Sequence, residues 1–309
     1  LTTLDALLDG LLARCTFPAT GSPVAVAFSG GPDSTALLAL ARRHGLIVTA
    51  HHVDHGLRAS SGAEAAQASD LAAALGCAVV VHRASVTPGA NLEARAREAR
   101  RAVLPTGAMT GHTADDQAET VLLRLLRGAG AAGLAAIRPG PDHPILGLRR
   151  AEAHAVAAAV AAEHGIATID DPSNGSPVHR RNRVRAEVLP LLADVAERDV
   201  VPLLTRTADL LRADEALLDR LPAELDPTDA KALSRADPAL ARRAVRRWLA
   251  VAGYPPDVAA VERVLAVARG EVRACELDGG VRVSRSAQRL SVTRADRPDP
   301  AVPGPGDGR

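Results

Sequence analysis

The sequence predicts an α/β fold, a doubly wound parallel sheet followed by a smaller, mainly helical C-terminal domain. Three observations carry this. Short apolar runs suited to buried strands alternate with stretches of helical spacing from Val24 to Arg127. Pro139, Pro141 and Pro144 then break the alternation, and from Val184 onward helical periodicity dominates. The chain of 309 residues, with 47% hydrophobic and 24% charged residues, is long enough for two globular units. We place these at 1–189 and 190–296, with a Pro- and Gly-rich, disordered tail over 297–309.

Residues 1–14 have helical spacing, and Pro23 leads into Val24-Ala25-Val26-Ala27-Phe28, an apolar run suited to a buried strand. A glycine turn follows at once. Thr35–Arg43 then reads as a helix, Leu46–His52 as a strand, Glu64–Leu75 as a helix ending at Gly76, and Ala78–Val81 as a third strand. Next come a helix over Leu92–Leu104, a short strand over Ala108–Gly111, and helices over Asp115–Arg127 and Ala151–His164. A polar loop spans Asp170–Pro177. Beyond it, periodic segments occupy 202–220, 238–252 and 257–269, and Gly279-Gly280 opens an alternating stretch over Val281–Val292.

No run of eighteen uncharged apolar residues and no leader pattern is present, so a cytoplasmic location is expected. Cys15, Cys77 and Cys275 are far apart and form no CxxC pair, which argues against a disulfide framework or zinc ribbon and for small buried residues. A net charge of +1 says little about nucleic acid. Arginine does cluster at 95–101, 180–185 and 242–247, which reads either as a phosphate-binding footprint or as solvated helix faces.

The chemistry starts at Ser29-Gly30-Gly31-Pro32-Asp33-Ser34, between the first strand and its helix. There, backbone N–H groups and the positive end of the helix favour an anion, the glycines permit close approach, and the Ser29 and Ser34 hydroxyls add donors. The loop is neither a Walker A pattern nor a dinucleotide GxGxxG. Asp116 and Glu119, three apart, share a helix face and with Asp33 could hold Mg²⁺ at bound phosphates, leaving Asp115 as the helix cap. His112 reads as a phosphate or base contact or as a structural residue. His52, Asp54, His55 and Arg58 follow the second strand, at the sheet end where open parallel sheets bind ligands. Their spacing matches no common zinc motif.

The loop resembles the SGGxDS signature of PP-loop ATP pyrophosphatases, which adenylate a substrate oxygen. The segments at 52–58, 91–100 (NLEARAREAR), 111–120 (GHTADDQAET), Asp171-Pro-Ser-Asn174 and Arg181-Asn-Arg-Val-Arg185 are similar, in the same order, to tRNA(Ile)-lysidine synthetases. The similarity is strong over about 20–190 and weaker beyond, where Glu276-Leu-Asp-Gly-Gly280 and the arginine helix around Trp248 resemble the family's shorter members. Arg101 and His179 stand where that family usually has aromatics, Ser176 where it usually has an acid, and the segment from Arg100 to His112 is shorter than usual.

The resemblance implies adenylation of the C2 oxygen of the wobble cytidine in isoleucine tRNA with a CAU anticodon. Attack on C2 by the ε-amine of free L-lysine, with release of AMP, would follow. It implies ATP and Mg²⁺, catalytic roles for Asp33, Asp116, Arg100, His112 and Arg185, and tRNA contacts from Arg97, Arg181, Asn182 and Arg185. It leaves open whether the chain forms a homodimer. The competing readings are a tRNA thiolase, from which paired cysteines are expected, an amide-forming synthetase, which needs an ammonia-supplying domain, and a nucleotide-binding module without catalysis, which has no need of the acidic pair at 116 and 119.

Overall fold

The computed structural model describes residues 3–54, 56, 61–84, 92–170, 176–220, 225–251 and 256–294. They form two compact units, Leu1–Arg212 and Ala213–Arg309.

The first unit is organised by a parallel sheet of β1 (Pro23–Ala27), β2 (Ile47–Asp54) and β3 (Ala78–Arg83), hydrogen-bonded in the order β1-β2-β3. The strand expected at Ala108–Gly111 shrinks to one parallel bridge between Met109 and Val26. Two bonds make it: Met109 N–H donates to Ala25 O (2.8 Å) and Ala27 N–H to Met109 O (2.9 Å). Pro105 and Gly107 just before it, and Gly111 just after, leave room for no longer ladder. β1 thus has β2 on one edge and the Met109 segment on the other. The connection from β1 runs to β2 on one side, and the chain returns from β3 to the Met109 segment on the other, which opens a crevice at the C-terminal end of β1.

Helix α1 covers Thr3–Leu12 and α2 covers Pro32–Arg43, three residues earlier than the spacing suggested, because Pro32 suits the first helical turn, where no N–H partner is needed. Ser34 to Ala41 of α2 are all buried, so this helix is central rather than amphipathic. It packs on α1 and on α7 (Arg150–His164), while α3 (Ser61–Ala74) packs on β2 and β3. The core between them is aliphatic, with Val26, Leu37, Leu38, Leu40, Ile145 and Val156, and Phe28 is its fully buried aromatic.

Helices α4 (Leu92–Val103) and α5 (Ala114–Leu125) follow, with a short α6 (Ala131–Leu134) that periodicity is too short to reveal. Helix α8 (Arg180–Arg183) runs through a π-helical turn (Val184–Val188) into α9 (Leu189–Val195), and α10 spans Val201–Leu218. Val184, Leu189, Val200 and Val201 pack with Ala114, Ala118 and Leu122 of α5. That apolar patch keeps the chain in the first unit as far as Arg212, beyond the boundary expected at 189.

The second unit holds α11 (Ala230–Arg235), α12 (Pro238–Val251) and α13 (Val258–Arg269), packed on an antiparallel sheet of β4 (Ala274–Leu277), β5 (Val281–Ser286) and β6 (Arg289–Arg294). The single alternating stretch is therefore a meander. Gly279 and Gly280, at φ +76° and +71°, turn one corner, and Ala287 and Gln288 turn the other at φ +46° and +64°. Asp229 and Asp257 cap α11 and α13, and Val245, Leu249, Val261, Val264 and Val283 form the core. Of the arginines on α12, Arg242 pairs with Glu262 and Arg243 with Glu215 and Asp219, while Arg246 is exposed.

Among the described residues no helix is long and apolar enough to cross a membrane. Cys77 is buried, while Cys15 and Cys275 are half-buried. Burial pushes the Cys15 and Cys77 thiols up to about 11, which leaves them unreactive near neutrality. The expected tail at 297–309 lies outside the described residues.

Candidate active site

The loop after β1 is built to be held still. Gly30 adopts φ +80°, and a Cβ there would come within 2.5 Å of Ile169 Cδ1, so both backbone and packing require glycine. Ile169 N–H donates to Gly30 O (2.8 Å), tying the segment after α7 to the loop. The Ser34 hydroxyl donates to Gly31 O (3.0 Å) and lies 3.1 Å from Ser29 Oγ. Gly111 packs so closely that a Cβ would sit 2.7 Å from Asp33 O. Gly31 caps α2 with no side-chain hydrogen bond, leaving the positive end of the helix to an anion.

Asp33 and Asp116, the first from the loop and the second from the first turn of α5, converge on Arg150. Arg150 Nη2 donates to Asp116 Oδ1 (3.2 Å) and to Glu119 Oε1 (3.0 Å), and its Nε stands 4.0 Å from Asp33 Oδ2. Among the described residues neither that Nε nor Asp33 Oδ1, both buried, has a hydrogen-bond partner, although His154 Nε2 lies 3.4 Å from the latter. Burial and the Asp116 charge push Asp33 above the ordinary carboxylate range. Burial also opposes ionisation of Asp116, but Arg150, the Thr113 N–H, His112 and Arg181 outweigh it and hold Asp116 low.

One expectation about this helix is corrected. The cap is not Asp115 but Thr113, whose N–H (2.9 Å) and hydroxyl (3.1 Å) both donate to Asp116 Oδ2. Asp115 instead accepts from Arg149 Nε (3.0 Å) and Arg150 N–H (2.8 Å), anchoring the start of α7. Glu119, expected beside Asp116 as a metal oxygen, is fully buried in an arginine cage. Arg185 Nε donates to Oε1 (2.7 Å), Arg150 shares that oxygen, and Arg181 Nε is 3.4 Å from Oε2. Its carboxylate is spent on guanidinium groups.

Arg181 and Arg185 meet at Glu119, and Arg181 also donates to Thr120 Oγ1 (2.8 Å). Asn182 donates to Ser176 O (2.9 Å). His112 Nδ1 lies 2.7 Å from Thr110 Oγ1.

Two clefts meet at the loop. The first, about 390 Å³, is lined by Ser29, Asp33, His52, Asp54, Arg100 and Ile169 among others. The buried His52 holds Phe28 O with Nδ1 (3.0 Å), which requires a proton on that nitrogen. Asp54 accepts from Gly56 N–H (2.8 Å). The second cleft, about 480 Å³, shares Ser29, Asp33, Ser34 and Arg100 and adds Arg101, Thr110, His112, Asp116, His143 and Arg181. His55, Arg58 and the DPSN segment at 171–174 lie outside the described residues, as does the side chain of Arg97. The sequence reading missed Arg150 and His143, which lie 31 residues from Glu119 and from His112 respectively. In hindsight only the apolar Pro144–Leu148 run before α7 hints that this segment returns to the sheet.

Residues 6–192 match the family model of the PP-loop domain, and residues 229–291 match that of the TilS substrate binding domain. The chain belongs to the tRNA(Ile)-lysidine synthase family. This is a family of ATP-dependent ligases with a PP-loop ATP-binding domain. Similarity extends over nearly the whole chain. The tRNA(Ile)-lysidine synthase of Nocardia farcinica is 43% identical over 90% of both chains. That of Mycolicibacterium paratuberculosis is 41% identical over 88% of both. The enzyme of the same name from Xanthomonas campestris is 37% identical over 95% of this chain and 74% of its own.

The geometry suits that family membership. Two convergent carboxylates and one orphaned buried carboxylate oxygen at a helix N-terminus fit Mg²⁺, which takes one or two protein carboxylates and completes its shell with phosphate and water. Among the described residues no group of three or more His, Cys, Asp or Glu side chains forms a metal cage.

Proposed function

We propose that the protein makes lysidine on isoleucine tRNA with a CAU anticodon. ATP adenylates the C2 oxygen of the wobble cytidine and releases pyrophosphate, and the ε-amine of free L-lysine then displaces AMP. The observation that carries this is the convergence of Asp33 and Asp116 beside a glycine loop whose helix end is uncapped.

ATP phosphates lie against Gly30, Gly31, Ser29 and Ser34, with the adenosine end in the first cleft beside His52 and Asp54. Asp33 and Asp116 would hold Mg²⁺, which would supply charge neutralisation at the phosphates. Arg100, on the lining of both clefts, is positioned to stabilise charge that builds on the α-phosphate. Glu119 acts through its arginines: it fixes Arg150, Arg185 and Arg181, the last on the lining of the second cleft, and Arg181 and Arg185 contact the tRNA or the adenylate. A tRNA substrate places the reaction in the cytoplasm, and the second unit supplies backbone contacts to the tRNA.

Incubating the purified protein with isoleucine tRNA, ATP, Mg²⁺ and labelled lysine, followed by nucleoside analysis, tests the proposal. Label in lysidine is the expected result. Label absent while ATP is still split to AMP and pyrophosphate would point to another acceptor.

A further inference from the structure

The second cleft contains a hydrogen-bonded unit for which the ATP-binding role has no use. Thr110 Oγ1 lies 2.7 Å from Nδ1 of His112 and 2.7 Å from Nδ1 of His143. The two Nδ1 atoms are 3.3 Å apart, and the rings meet edge to face with centroids 4.9 Å apart. Thr110 is fixed from behind, since its N–H donates to Asp142 O (2.9 Å), and His143 N–H donates to Gly140 O (3.0 Å).

One hydroxyl has one proton. With both imidazoles at the same short distance, one Nδ1–H donates to Thr110 and the other Nδ1 accepts from it, in preference to the longer contact from the hydroxyl to Asp142 O at 3.3 Å. The rings are then held in opposite tautomers, one with a bare Nε2 and the other with Nε2–H. Two facing nitrogens 3.3 Å apart also disfavour a charge on both rings. The unit accepts one proton and shares it through Thr110.

On the lysidine reading, on which this inference rests, such an acceptor is needed in the second step, because free lysine arrives as an ammonium ion with no lone pair. We infer that His143, linked to His112 through Thr110, is the proton acceptor that frees the lysine ε-amine in the second cleft. A proton passes from the ε-ammonium to the imidazole, the freed pair forms the N–C2 bond, the C2–O bond breaks with its electrons going to AMP, and the second proton shed by the attacking nitrogen leaves on the AMP phosphate. Atoms and charge balance with lysidine formed as its cation. The setting is right for a neutral base: His143 is half-buried, and burial lowers its imidazole against the opposing charge of Asp142. Asp33 and Asp116, the carboxylates of the same cleft nearest the loop, are turned to Arg150.

The experiment separates the two steps in the full-length protein. Pyrophosphate release with tRNA and ATP but no lysine reads adenylation, and a lysine chase reads transfer. His143→Ala should slow transfer about 10²-fold more than adenylation, with little change in the KM for lysine, and imidazole added to the buffer should restore transfer. Thr110→Val, which keeps the shape and removes the link, should slow transfer in the same sense without rescue by imidazole. Transfer at the wild-type rate in His143→Ala overturns the inference, as does an equal fall in both steps that imidazole leaves unchanged. Should the alanine variant fail to fold, His143→Gln, close in size, must show the same split or the inference is lost. A wild-type protein that forms no lysidine under these conditions would instead remove the reading on which the inference is built.

Discussion

Asp116 shows why a single residue resists a single label. Its carboxylate accepts from Thr113 and so caps α5, pairs with Arg150, and faces the same cleft as Asp33. Replacing it by alanine would remove the cap, worth about 1 kcal/mol, together with the charge. The informative variants are therefore Asp33→Asn and Asp116→Asn, which keep the shape. We expect each to lower tRNA-dependent pyrophosphate release about 10²-fold or more while the melting temperature changes little. Release at the wild-type rate would remove these carboxylates from the metal site. Glu119 behaves differently. It is fully buried and holds three guanidinium groups, so Glu119→Gln leaves positive charge uncompensated and should cost about 3 kcal/mol of stability. A urea midpoint shift worth under about 1 kcal/mol would mean that the cage relaxes around a neutral side chain.

At the scale of elements, the alternation of strands and helices up to α5 was legible because it is local: apolar runs of strand length, glycine at turns and proline at the start of α2 act over a few neighbours. The short pieces were not. α6 has four residues and α11 six, too few for periodicity to register, and the Met109 bridge exists only because β1 offers an open edge. The second unit offers a test of a local electrostatic element. Asp226 accepts from the Thr228 hydroxyl and N–H and from Arg289, which ties the loop before α11 to β6 and holds its carboxyl down at about 2, against an ordinary 3.8. A depressed folded pKa stabilises above the unfolded value and is lost as pH falls through the folded one. The stability difference between wild type and Asp226→Asn should therefore be full at about pH 5 and shrink toward pH 2. A gap independent of pH would show that neutral hydrogen bonding carries the contribution.

For the whole molecule, a net charge of +1 gives no global pull on tRNA, so affinity must come from local arrays. The 242–247 cluster illustrates how little a count of arginines says. Arg242 and Arg243 are already neutralised by acids of their own unit and Arg247 donates to Asp219 O, while Arg246 is exposed on α12, inside the segment that matches the substrate binding domain. If the second unit grips the tRNA backbone there, Arg246→Gln should raise the tRNA dissociation constant at low salt and reduce the slope of log affinity against log salt by about 1. An unchanged slope would move the contact elsewhere.

By itself the sequence determined the α/β alternation, the anion-binding loop and the identity of the carboxylates near it. Each of these depends on residues adjacent in the chain, where backbone geometry and spacing act directly. Tertiary structure alone decided what those carboxylates face. Arg150, Arg181 and Arg185 reach Glu119 from 31 to 66 residues away, and His143 meets His112 from a similar remove. Ion pairs and shared protons need only closeness in space, and a buried charge takes whichever partner the packing of distant helices delivers.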